Sequence, residues 1–237
     1  MDTKPPETEL HFEKGPTLTK RWDYATFREY LLSQARGKDF LLPIAEFPTE
    51  IDLNANWHGV LSAMREKTNK DQIERVGLVG YNLAQRSLYL PSEKVAKVPW
   101  QWERNTHVAR QAIEIQRSFA RSKGAEGLVG ILHSHPPMDT KMLGFQIRNG
   151  RLSAGDLYIG LRGYYGPMVG VADGGINSLA FKTRQSIVPR DDFEKFVDLW
   201  ERDPQPKKLD ELLAQKYNVA LYKGGVNDVL RRIYPKR

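Results

Sequence analysis

Apolar positions along this chain follow two periods, and the changes between them mark its elements. Leu53, Trp57, Val60, Leu61 and Met64 recur at helical spacing and predict an amphipathic helix over 52–67, ended by the polar run EKTNKDQ. A second helix is expected over 106–121, with Ala109, Ala112, Ile113, Gln116, Phe119 and Ala120 on one face. Asn105 or Thr106 can cap its start and Gly124 can stop it. Short apolar runs predict strands at 73–81 and 87–90, and a buried strand over 127–137 that stops at two prolines. The runs 167–173 and 176–183 flank Asp173-Gly174-Gly175, a hairpin pattern. Shorter helices are expected at 24–32, 191–201 and 209–216, and Ser153 begins a capped helix or turn. Residues 1–20 read as a loose arm, 138–152 as a loop, and the last stretch as mixed and basic.

This order predicts an α/β fold, a mixed central sheet flanked by helices, over residues 51–185. Residues 1–50 then form an N-terminal extension and 186–237 a C-terminal helical extension.

Composition narrows the chemistry. The 36 Lys and Arg against 29 Asp and Glu leave a net charge of +7, which permits an acidic protein partner or nucleic acid and proves neither. The chain has no Cys, which excludes disulfide scaffolds, thiol nucleophiles and Cys-built zinc sites. The first residues lack a signal-peptide pattern and no apolar run is long enough to span a membrane, so a soluble cytoplasmic protein is expected.

Any transition-metal site must then use carboxylates and the five histidines at 11, 58, 107, 133 and 135. His133-Ser134-His135-Pro136 ends the buried strand, and a period of two sends both imidazoles to one side. Ser153-Ala154-Gly155-Asp156 follows, and Asp156 is the expected third ligand. Two imidazoles and one carboxylate make a zinc site of the catalytic type, with a position left for water. Such a site also needs a carboxylate base. Spacing leaves Glu74, Glu46, Glu50, Glu103 and Glu126 as candidates, with Glu74 opening a strand that can lie beside the histidine strand.

Glu74 with Gly77 and Leu78, then His133, His135 and Pro136, then Ser153 and Asp156 resemble, in order, the motif of the JAMM (MPN-type) metalloproteases, including bacterial and phage members. The resemblance spans roughly residues 52–183. It implies that His133, His135 and Asp156 bind Zn2+, that Glu74 activates the catalytic water, and that Ser153 stabilises the oxyanion. It also implies a peptidase or isopeptidase acting on a protein or peptide, often the C-terminus of a ubiquitin-like protein. Sixteen residues separate Pro136 from Ser153, more than the family's usual spacing. They read as a packed surface excursion, a substrate-gripping flap or an inhibitory cover.

Two rival readings accompany this one. The first is a non-catalytic MPN-type scaffold or interaction protein that forms a homodimer through the fold. The second is a nucleic-acid-associated protein using Arg110, Arg117 and Arg121 on the second long helix, although an ordinary solvated helix face accounts for these residues more simply. His58 reads as a helix residue rather than a ligand. The glycines at 124, 127 and 130 lack the Lys-Ser/Thr pair of a phosphate loop.

Overall fold

A computed structural model describes residues 21–36, 40–91, 96–98, 106–136, 152, 154–163, 165–188 and 209–235. The expected arm 1–20, most of the loop 138–152 and the helix at 191–201 lie outside the described residues. The chain runs β1 (Arg21–Trp22), α1 (Tyr24–Gln34), β2 (Glu50–Ile51), α2 (Ala55–Asp71), β3 (Glu74–Asn82), β4 (Ser87–Tyr89), β5 (Ala96–Val98) and α3 (Thr106–Ser122). It continues through β6 (Gly127–Ser134), α4 (Ala154–Arg162), β7 (Met168–Asp173), β8 (Ile176–Lys182), α5 (Leu209–Tyr217), β9 (Val219–Gly225) and β10 (Leu230–Tyr234).

The strands form one mixed ten-stranded sheet in the order β1-β2-β10-β9-β8-β7-β6-β3-β4, with β5 also paired to β3. The pairs β6–β7 and β1–β2 are parallel and the others antiparallel. α4 lies in the connection from β6 to β7, the crossover that a parallel pair requires.

Both faces of the sheet are covered, which is why consecutive residues of its central strands are buried on both sides. On one face Trp22, Phe27, Leu31, Trp57, Leu61 and Met64 pack against Val79, Leu132, Leu179 and Phe181. On the other, Leu157 and Leu161 of α4 and Leu213 and Tyr217 of α5 pack against Val76, Leu78, Ile131, Val171 and Leu221. Burying each such side chain contributes about 1.5–3 kcal/mol.

The sheet reaches past the boundaries expected from sequence. The segment assigned as an N-terminal extension supplies β1, α1 and β2, and the fully buried Phe27 meets Trp57 and Phe181 edge-on. The segment assigned as a helical C-terminal extension contains α5 but then supplies two strands, with β9 pairing β8 along its whole length. Its apolar residues Val219, Ala220, Leu221 and Tyr222 are all buried, so the hydrophobic sheet is completed from this segment.

α2 begins later and ends later than the periodicity implies. Asn54 is the cap, its side-chain oxygen accepting the Trp57 N–H at 3.1 Å. At the other end Arg65 and Thr68 still face inward, and the helix closes at Gln72, a left-handed residue whose N–H reaches the Thr68 carbonyl at 2.7 Å. Asn54→Ala is expected to cost about 1 kcal/mol of stability, measured by urea denaturation, because one orphan N–H of the first turn loses its partner.

Between α4 and β7 the chain turns at Gly166, whose φ is +106°. An added Cβ there would lie 2.2 Å from the Val129 carbonyl carbon. This close backbone approach seats the crossover against β6.

Candidate metal centre

β6 carries His133, and His135 follows immediately after the strand. Ser134 points to the opposite face, toward α2. β3 runs antiparallel beside β6 with Val76 opposite His133 and Arg75 opposite Ser134. Glu74, one step further, therefore shares the histidine face. α4 opens on the same face and places Asp156 in its first turn. Two adjacent strands and one crossover helix thus bring together residues far apart in sequence.

The resulting distances are short. His133 Nε2 lies 3.1 Å from His135 Nε2, Asp156 Oδ1 lies 2.9 Å from His133 Nε2, and Asp156 Oδ2 lies 3.6 Å from His135 Nε2. Glu74, His133 and His135 each offer a donor atom within 4.8 Å of the others, a buried group that could hold a metal ion. A tetrahedral ion with ligands at about 2.0–2.1 Å has ligand–ligand edges of about 3.3 Å. The His133–His135 separation and the reach of Asp156 Oδ1 to His133 are close to that value, while Asp156 meets His135 with its other oxygen, Oδ2.

Burial makes the site directional. Glu74, His133 and Asp156 are nearly inaccessible, whereas the His135 side chain is 24% exposed. Burial pushes the Glu74 carboxyl up to about 7, with the His133 charge opposing and the Asp156 charge adding to the rise. Burial alone would lower His133, but the Asp156 carboxylate, the Glu74 charge and a hydrogen bond to the Gly170 backbone outweigh it and raise the group to about 9. His135 falls to about 4, through burial against the attraction of Asp156 and with repulsion from His133. The group therefore contains carboxylates and imidazoles whose proton affinities differ widely over a few ångströms.

The other glutamates considered from sequence stand elsewhere. Glu50 is on β2, 3.6 Å from Arg231, and Glu126 accepts the Leu83 N–H at 3.2 Å, near the opposite end of β6. Glu46 sits in a turn of 3-10 helix, and Glu103 lies outside the described residues. His58 faces the Val226 carbonyl at 2.9 Å, away from the histidine pair, and acts as a helix residue. Arg117 pairs with Glu114 and lies over the Tyr165 ring. Ser153 lies outside the described residues, as does most of the loop before it.

Three residues behind the site were not singled out from sequence. Ser134 and Thr68 are fully buried and Arg75 nearly so. Thr68 carried a usable signal, since it continues the Leu61–Met64 spacing onto the buried face of α2.

Among the described residues, no helix is long and apolar enough to cross a membrane. No family model, curated protein or solved structure matches the chain.

Proposed function

We propose that this chain is a zinc-dependent peptidase or isopeptidase of the JAMM type, with a mixed-sheet MPN-like fold, that hydrolyses an amide bond in a protein substrate. The substrate class that goes with this reading is the C-terminus of a ubiquitin-like protein. One observation carries it: His133, His135 and Glu74 meet in a buried group able to hold a metal ion, and Asp156 lies against both imidazoles. Two imidazoles and a carboxylate leave a coordination position open, the donor arrangement of catalytic zinc.

When bound, Zn2+ supplies Lewis-acid chemistry, polarising a carbonyl and acidifying water. His133, His135 and Asp156 would hold it. Glu74 accepts the proton of the attacking water and returns it to the departing amine nitrogen. Its burial beside the histidine pair places that carboxylate where it can serve both halves of the transfer. The buried floor excludes bulk water, and the partly exposed His135 side is where an extended substrate chain can enter. By the same family resemblance, Ser153 is assigned to the oxyanion.

Metal analysis of the purified chain, together with cleavage of ubiquitin-like fusions and isopeptide-linked conjugates, tests this reading. The expected result is one zinc per chain, with cleavage abolished by a chelator and restored by Zn2+. Iron in place of zinc, or no bound metal, overturns it. Stoichiometric zinc without cleavage across such substrates favours the dimerising scaffold instead.

A further inference from the structure

The histidines and Glu74 occupy the front of the sheet, and alternation sends their neighbours Ser134 and Arg75 to the back. There, the last turn of α2 meets them. Thr68 Oγ1 lies 2.5 Å from Ser134 Oγ, and both side chains are fully buried. The Arg75 backbone N–H donates to the same Ser134 oxygen at 3.3 Å, and Ser134 donates to the Met64 carbonyl at 3.5 Å. With its own proton directed to Met64, Ser134 accepts from both Thr68 and Arg75.

The Arg75 side chain ties the knot from the strand side. Its guanidinium donates to the Ile73 carbonyl at 2.6 Å and the Lys67 carbonyl at 3.4 Å, and it pairs with Asp71. The Thr68 carbonyl, in turn, receives the Gln72 N–H that closes α2. One buried hydrogen-bonded cluster therefore joins the end of α2, the first rung of β3 and the last residue of β6.

Its placement relative to the site is specific. Ser134 is the residue between the two histidines, and Arg75 is the residue after Glu74. β6 ends at Ser134, and Pro136 has no N–H with which to continue the ladder, so the buried Ser134 side chain is the last anchor behind the histidine pair.

We propose that Thr68 is a positioning residue for the metal centre. Its hydroxyl anchors Ser134 from behind and so sets the separation of the His133 and His135 imidazoles. This inference rests on the metal-binding reading above. Partners that hydrogen-bond a ligand directly are worth about 10–100-fold in metal affinity; Thr68 acts one residue removed, through Ser134, so its loss belongs at the lower end of that range.

The test is titration of the metal-free full chain with Co2+, followed by its visible spectrum, in wild type, Thr68→Val, Thr68→Ser and Ser134→Ala. Circular dichroism and thermal melting of the metal-free forms run alongside. Thr68→Val and Ser134→Ala are each expected to bind Co2+ about 10-fold more weakly and with an altered visible band, while melting as cooperatively as wild type. Thr68→Ser, which keeps the hydroxyl, should restore wild-type affinity and spectrum. The double variant should bind no more weakly than either single one, because both changes break the same link. Wild-type affinity and spectrum in Ser134→Ala overturn the inference, even if Thr68→Val fails to fold, and so does weakened binding in Thr68→Ser. A wild-type chain that binds no Co2+ overturns the metal reading itself. That outcome is distinct from wild-type binding left unchanged by these substitutions.

Discussion

Glu74→Gln is expected to leave metal content and fold intact while slowing amide hydrolysis by about 10²–10⁴-fold, the usual contribution of a positioned acid–base group. The amide matches the carboxyl in size, so the packing at the start of β3 is preserved. It also removes a buried ionisable group whose charged form is disfavoured by desolvation, so no loss of stability should follow. What disappears is an oxygen able to accept a proton. Turnover measured together with bound zinc separates the alternatives. If Glu74 is a ligand, metal and activity fall together. If turnover stays within a few-fold of wild type, the proton acceptor lies elsewhere.

The largest effect on folding is expected at Gly166→Ala. A side chain at φ +106° pays the cost of a sparsely populated backbone region, about 1–3 kcal/mol. The new Cβ would also meet Val129 backbone atoms at 2.2, 2.5 and 2.6 Å, which no side-chain rotation can relieve. Overpacking of this kind adds about 1–3 kcal/mol or more. Against a total stability of about 5–15 kcal/mol, the sum is a large share and should lower the melting temperature by about 5–20 °C. A cooperative thermal transition within a few degrees of wild type would show that β6 and the turn can move apart, contrary to this account.

The sequence was informative where a short pattern dictates geometry. The run Leu128–Leu132 leads into His133-Ser134-His135, so a period of two alone places both imidazoles on one side, and a first-turn position suits Asp156 as their carboxylate partner. Spacing by itself does not separate Glu74 from the other glutamates, and the motif resemblance selects it; the physical reason for its placement is the antiparallel register of β3 on β6, a pairing between strands more than forty residues apart. Thr68 continues the apolar spacing of α2 but sits in the polar run where the sequence pattern ends that helix, and Arg75 is a charge within a strand; the docking of α2 against the sheet buries both. The sheet margins were hidden by brevity and charge. β1 and β2 have two residues each, too few to show a period, and Leu230-Arg231-Arg232-Ile233-Tyr234 places charges within a strand.

The strand order has a consequence for how the molecule forms. Ile51 of β2 pairs with Leu230 of β10, and the whole of β8 pairs with β9, so the sheet is completed by segments that arrive late in the chain. During synthesis β3, β6, β7 and β8 are present while the outer edge of β8 remains unpaired, with Leu179 and Phe181 lacking their final neighbours. Such long-range pairings slow folding, and unpaired strand edges favour self-association. The nascent chain is therefore most prone to aggregation in the interval before β9 docks, when the strands that carry the candidate metal centre already exist but lack the rest of their sheet.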